Sequence, residues 1–238
     1  MKKVPKYWCV VPAAGIGSRV GADCPKQYLK LGDKTILQHT VERLLAVPQL
    51  ARIILAVSSD DQHWQAIDIL HNDRIEIVIG GTQRCDSVLN GLHALANKAS
   101  DSDWVLVHDV ARPCITQQLI NKLIVEVGQH EVGGILAIQA SDTLKQVSGN
   151  HISGTLDRSF IWQAQTPQMF RYQKLLQALT RALAPGALKT GEQITDEASA
   201  LEWAGMTPCV VEGSRDNIKV TLPEDIALAT FFIHHQQS

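Results

Sequence analysis

The sequence contains no uninterrupted apolar stretch long enough to span a bilayer. Charge of one sign is also missing in excess, since 22 Lys and Arg stand against 24 Asp and Glu. No broad positive field is therefore expected to neutralise a nucleic-acid backbone or to hold an anionic membrane, so neither partner is expected. Any anionic ligand has to be met by a local cluster of cations. The cysteines Cys9, Cys24, Cys85, Cys114 and Cys209 are odd in number, scattered, and free of any C-x-x-C pair. This argues against a disulfide framework and against a zinc site, and they read as reduced thiols. Lys2, Lys3 and Lys6 resemble the start of a secretory leader, but the apolar run behind them is short and enters Pro12 and a glycine loop. Cytoplasmic residence is the expectation that remains.

What is present is enough apolar material, 45% of the residues, for one large core. A single domain over residues 1–238 is expected. Short Val- and Ile-rich runs at 8–12, 53–58, 75–79, 104–108 and 134–139 alternate with longer segments at 36–47, 60–71, 86–98 and 117–130, read as helices. In the last of these, Leu119, Ile120, Leu123, Ile124 and Val127 form a stripe at helical spacing. The pattern predicts an α/β fold, with a mostly parallel twisted sheet flanked by helices. From about 139 to 171 the segments 143–147, 152–156 and 162–170 are more polar and alternating, which predicts an extended hairpin arm that packs on something else, such as a second subunit. Helices at 172–183 and 196–204, strands at 209–212 and 218–221, and a helix from Glu224 started by Pro223 complete the pattern.

The first strand runs straight into Pro12-Ala13-Ala14-Gly15-Ile16-Gly17-Ser18-Arg19, and Pro25-Lys26 follows. Small residues let backbone N–H groups approach a phosphate, and Arg19 and Lys26 add full charges, so the segment suits a polyphosphate. A dinucleotide fingerprint would need its third glycine at Val20 and an acid closing the second strand, and both are missing. A Walker loop would need glycine at Val20 followed by Lys and Ser or Thr, also missing. An ordinary strand-to-helix turn with solvated charges stays open at this point. A second cluster, His108-Asp109-Val110-Ala111-Arg112-Pro113, puts an acid and a base just past the carboxyl end of the fourth strand. Asp109 there suits Mg²⁺ and Arg112 a phosphate; a surface ion pair is the plain alternative.

Six ordered blocks carry a closer likeness: 12–19 with Pro25-Lys26-Gln27-Tyr28, Gly80-Gly81-x-x-Arg84-x-x-Ser87-Val88, the 108–113 cluster, Gln165-Thr166-Pro167-Gln168, Thr195-Asp196-Glu197-Ala198, and Asn217-Ile218-Lys219-Val220-Thr221. Together they resemble the 2-C-methyl-D-erythritol 4-phosphate cytidylyltransferases of non-mevalonate isoprenoid biosynthesis. Val110 departs from the alanine usual in that family.

The resemblance implies a Rossmann-like nucleotidyltransferase fold. It also implies transfer of the cytidylyl group of CTP to 2-C-methyl-D-erythritol 4-phosphate, with release of pyrophosphate and with Mg²⁺ or another divalent cation as cofactor. Arg19, Lys26, Arg158 and Lys219 would act on the reacting phosphates. Ala13, Ala14, Gly15, Gly17, Gly80, Gly81, Thr82, Ser87 and Asp109 would bind the nucleotide. Arg112, Thr143, Arg158, Thr166 and Thr195 would bind the acceptor. Asp109 would hold the metal, joined by Asn217 or Asp216. Thr143 and Arg158 would reach the neighbouring subunit's site in a homodimer. A ribitol 5-phosphate cytidylyltransferase is the nearest rival.

Overall fold

The computed structural model describes residues 4–15 and 24–236. The apolar runs become strands β1 (Tyr7–Ala13), β4 (Leu50–Val57), β5 (Ile75–Ile79), β6 (Trp104–Val107), β7 (Gly133–Gln139), β10 (Trp162–Arg171) and β11 (Cys209–Glu212). Among the described residues they form one sheet in the order β11-β7-β10-β6-β1-β4-β5. β1 pairs in parallel with β4 and β6, β4 with β5, and β7 with β11. β10 is antiparallel to both β6 and β7. The expected α/β architecture is present, but the 162–170 segment belongs to the central sheet and not to the arm.

The arm is accordingly smaller than expected: strands β8 (Leu144–Ser148) and β9 (His151–Leu156) pair with each other as a separate two-stranded sheet. Another small hairpin, β2 (Lys30–Leu31) with β3 (Lys34–Thr35), turns at Gly32, whose φ of 69° favours glycine. Its sequence is too short for periodicity to reveal.

Helices α1 (Ile36–Leu45), α2 (Arg84–His93), α3 (Gln117–Val127), α4 (Tyr172–Ala182), α5 (Glu197–Trp203) and α6 (Glu224–His235) start where local chemistry favours a start. The Thr35 hydroxyl accepts from Gln38 N at 3.1 Å while the Gln38 side chain accepts from Thr35 N at 2.8 Å, closing a capping box on α1. Thr116 caps α3 by accepting from Leu119 N, and Asp196 with Ser199 closes another capping box on α5. On α3, Ile120, Leu123, Ile124 and Val127 are buried, as their spacing predicts. One apolar cluster joins α1 and α3 to one face of the sheet; a second joins α2, α4 and α5 to the other. α6 lies over a smaller cluster that includes Leu31, Ile36 and Val220.

Two expected elements are absent. Residues 60–71 form two short 3₁₀ turns, His63–Ala66 and Asp68–His71, instead of an α-helix. Ile67 and Leu70 enter the core at a spacing of three, which suits a 3₁₀ turn better than an α-helical face. Residues 218–221 form no strand; Val220 N donates to Ala111 O at 2.8 Å, and the segment crosses the end of the sheet instead of joining it.

The topology sets the site. From β1, the chain order runs toward β5 on one side and toward β11 on the other. Open α/β sheets place ligands where the order reverses, beyond the carboxyl ends of the strands. The segments after β1 and β6 emerge side by side there.

Candidate active site

The end of β1 is completed by Ala13, whose carbonyl accepts from the buried Gln27 Nε2 at 2.9 Å. That bond draws the turn Lys26–Tyr28 against the strand end, and Tyr28 adds a second tether by donating to Asp61 Oδ2 at 2.7 Å. Lys26 is thereby fixed beside Ala13, Ala14 and Gly15, and all four line a pocket of about 390 Å³. Gly17 and Arg19 lie outside the described residues.

The opposite wall follows β5. Gly81 N donates to Ser87 Oγ at 3.0 Å, folding the Gly80–Gly81 turn onto the start of α2. A side chain could not be accommodated: a Cβ on Gly80 would lie 2.5 Å from the Ala14 Cβ, and one on Gly81 2.2 Å from the Asp86 Cβ. These glycines are required for close packing. Gly81, Thr82 and Ser87 line the pocket, and Gly80 stands behind it against Ala14 and Ser87.

Asp109 follows β6 at the floor. Its Oδ1 accepts from Arg84 Nε at 2.8 Å, its Oδ2 pairs with Lys219 Nζ at 2.8 Å, and Arg112 Nε stands 4.0 Å from Oδ2. Burial alone would raise the Asp109 carboxyl; the charges of Arg84 and Lys219 outweigh it and hold the group well below the usual carboxylate range. It is ionised at neutral pH. Arg84 also grips Glu197 with both terminal nitrogens, at 2.7 and 3.0 Å. Burial raises the Glu197 carboxyl, with the Arg84 charge pulling against it.

A second pocket of about 220 Å³ shares Arg84, Asp109 and Lys219 with the first and adds Arg112, Thr166 and Thr195. β10 builds much of it. Its pairing with β7 breaks between Ala164 and Gln168, and a ladder irregularity of this kind re-aims side chains. Thr166 Oγ1 accepts from Asp109 N at 3.0 Å and stands 3.1 Å from His108 Nδ1. His108 Nε2 lies 3.1 Å from the Arg112 carbonyl, which can only accept, so the ring carries its proton on Nε2 and the Thr166 hydroxyl donates to Nδ1. Burial lowers the His108 pKa to about 4. It is a neutral scaffold. Arg112 donates to the carbonyls of Asn217 at 2.6 Å and Ala164 at 3.2 Å, which orients it along the second pocket.

The first pocket thus gathers Ala13, Ala14, Gly15, Lys26, Gly81, Thr82, Ser87, Asp109 and Lys219 from distant stretches of sequence, and the second adds Arg112, Thr166 and Thr195. Thr143 and Arg158 line neither pocket of their own chain; the Arg158 guanidinium donates to the Ser141 carbonyl at the foot of the arm. Asp216 and Asn217, expected as alternative metal ligands, line neither pocket. Asn217 is instead a buried brace, donating from Nδ2 to Thr166 O at 2.9 Å. Arg84 and Glu197 were not among the expected site residues, although both lie within blocks that carry the family likeness. The signal was their presence in those blocks; their pairing across 113 residues has no trace in spacing.

As to a divalent cation, no group of three or more His, Cys, Asp or Glu side chains among the described residues could hold one. Mg²⁺ needs less, being held through one or two carboxylates plus substrate phosphates. Asp109 is ionised and borders both pockets, so its carboxylate fits an ion carried in on a polyphosphate.

The geometry agrees with comparisons to known proteins. The family model for 2-C-methyl-D-erythritol 4-phosphate cytidylyltransferase matches residues 7–235. A protein of that name from Pseudomonas putida (strain GB-1) is 51% identical over 225 residues, covering 94% of each chain. One from Vibrio vulnificus (strain CMCP6) is 49% identical over 229 residues, covering 96% of this chain and 94% of the other. The crystal structure of the Francisella tularensis protein of that name superposes with a TM-score of 0.81 at 37% identity, covering 95% of this chain and 99% of that one. The chain therefore belongs to the 2-C-methyl-D-erythritol 4-phosphate cytidylyltransferase family.

Proposed function

We propose that this protein transfers the cytidylyl group of CTP to 2-C-methyl-D-erythritol 4-phosphate, giving 4-diphosphocytidyl-2-C-methyl-D-erythritol and pyrophosphate in non-mevalonate isoprenoid biosynthesis. The observation that carries it is the sharing of Arg84, Asp109 and Lys219 by two adjoining pockets; in this reading the first takes the nucleotide and the second the acceptor. The relatives are named for methylerythritol phosphate and not for ribitol phosphate, which supports the first acceptor over the second.

In this reading an oxygen of the acceptor phosphate attacks the α-phosphorus of CTP. A new P–O bond forms, the bond from the α-phosphorus to the bridging oxygen breaks, and the electron pair leaves with pyrophosphate. The nucleophile is already anionic, so no general base is needed, and positioning with charge stabilisation does the work. Lys26, with Arg19, would meet the charge that builds on the α-phosphate. Lys219 would hold the acceptor phosphate in line, and Arg112, Thr166 and Thr195 the remainder of the acceptor. Main-chain groups of Ala13, Ala14, Gly15, Gly17, Gly80 and Gly81, with Thr82 and Ser87, would enclose the cytosine and its phosphates tightly enough to reject a purine. Asp109 would hold a divalent cation, which when bound supplies neutralising charge along the triphosphate.

The arm, at the base of which Thr143 and Arg158 lie, is proposed to cross to a second copy and complete its acceptor pocket. Supporting this, β8–β9 pairs only with itself among the described residues and exposes Val147, Ile152 and Leu156, with Phe160 82% exposed beside them. The exposed apolar surface suits a protein partner. Cytoplasmic residence belongs to the same proposal, supported by five unpaired thiols; no helix among the described residues is long and apolar enough to cross a membrane. The test is incubation with each of the four nucleoside triphosphates and either polyol phosphate, followed by ³¹P NMR. CTP with methylerythritol phosphate should yield a new diphosphate diester and pyrophosphate. The same products from ribitol phosphate alone, or from another triphosphate alone, would refute the assignment.

A further inference from the structure

Glu197 is 1% exposed and lines neither pocket, yet it stands directly behind both. It opens α5, one residue after Asp196 and two after Thr195, which line the second pocket. Across the sheet end it meets Arg84, from the first turn of α2, whose Gln83 and Thr82 neighbours line the first pocket. A guanidinium offers five donors in a rigid fork. Glu197 occupies the terminal NH1 and NH2 groups at 2.7 and 3.0 Å, which leaves Nε for Asp109 Oδ1 at 2.8 Å. Asp109 Oδ2 then remains with Lys219, also at 2.8 Å.

An arginine with its terminal nitrogens unoccupied closes preferentially on a carboxylate through two parallel bonds. Arg84 released from Glu197 would do this to Asp109, the carboxylate it already touches, and would compete with Lys219 for Oδ2. The geometry points to Glu197 as a positioning residue for the transfer reaction: by holding the fork of Arg84 it restricts that arginine to one bond with Asp109, and so keeps Oδ2 directed at Lys219 and the reacting phosphates. The inference rests on the cytidylyltransferase reading of the two pockets. A purely architectural role, tying α2 to α5, is the competing account, since breaking a buried pair destabilises a fold whatever the site beside it does.

The two differ in what moves: a lost architectural tie lowers the melting temperature, whereas lost positioning lowers kcat beyond what the melt accounts for. Steady-state kinetics with CTP and methylerythritol phosphate would be measured for the wild type, Glu197→Gln, Arg84→Gln and the double variant, with thermal melts alongside. Glu197→Gln should lower kcat about 100-fold, as a displaced reacting group does, with the CTP KM changed little. In the Arg84→Gln background the same change should cost nothing further, because the guanidinium through which Glu197 acts is already gone. Wild-type turnover by Glu197→Gln, or an equal loss in both backgrounds, would overturn the inference. Should Glu197→Gln alone fail to fold, Arg84→Gln and the double variant still decide it: the double leaves no buried charge unpaired at these two positions, equal kcat values are expected, and a further drop in the double contradicts the idea. Wild-type protein that releases no pyrophosphate from these substrates would instead sink the cytidylyltransferase reading itself.

Discussion

At the level of single residues, the base wall depends on the absence of side chains. A Cβ on Gly81 would meet the Asp86 Cβ at 2.2 Å, inside the first turn of α2, where Asp86 also accepts from Gln83 N at 3.0 Å. Overpacking of this kind costs about 1–3 kcal/mol. Gly81→Ala should therefore weaken CTP binding about tenfold or more, and an unchanged Kd by isothermal titration calorimetry would refute a main-chain base pocket. Lys26 has the opposite signature. Its contact should strengthen as charge builds on the α-phosphate, so Lys26→Ala should lower kcat about 100-fold or more while CTP affinity falls much less. A raised KM with kcat intact would contradict that role. Lys26 is legible from its own surroundings, a Pro-Lys step after a glycine loop, whereas Gly81 is legible only through the family likeness, because a bare glycine pair reads as an ordinary turn.

Among the elements, α6 shows how one side chain positions a pocket wall at a distance. Asp225 Oδ2 accepts from Thr221 N at 2.7 Å, Leu222 N at 2.8 Å and Thr221 Oγ1 at 2.9 Å. This fixes the segment that carries Lys219 and Thr221 into the first pocket. Burial tends to raise the Asp225 carboxyl, but these bonds prevail and lower it. A carboxyl lowered by folding contributes stability that is complete above its unfolded pKa of about 4 and is lost as pH falls through the folded value. Asp225→Asn should reduce stability at neutral pH by about 1 kcal/mol and should lose less than the wild type on acidification below about pH 4. Parallel acid melts of the two proteins check this, and equal losses in both below about pH 4 would refute it. The 218–221 segment was misread as a strand because Ile218 and Val220 alternate with polar residues; the alternation reflects anchoring by Asp225 and by Ala111 O, not a sheet ladder. The 162–170 segment was misread as part of the arm for a related reason. Its first three residues are exposed and the next six buried, so an exposed start and polar composition read as an arm, while its place between β6 and β7 depends on partners far away in the chain.

For the whole molecule, the cations and acids that meet at the pockets come from positions 26, 84, 109, 112, 196 and 219. If a second copy supplies Arg158, then Arg158→Ala mixed with Lys219→Ala should regain part of the activity that each lacks alone. Subunit exchange with no recovery would count against a composite site. By itself the amino-acid sequence determined the α/β class, the order of most strands and helices, the glycine wall, the acid at the end of β6 and the family, since each of these is written in local spacing or in short ordered blocks. Only the tertiary structure decided that β10 runs backwards between β6 and β7, that residues 60–71 are not an α-helix, and that Arg84 lies between Asp109 and Glu197. Those outcomes depend on which distant backbone carries a free hydrogen-bonding edge and which buried charge lacks a counter-ion, and neither quantity exists until the chain has closed on itself.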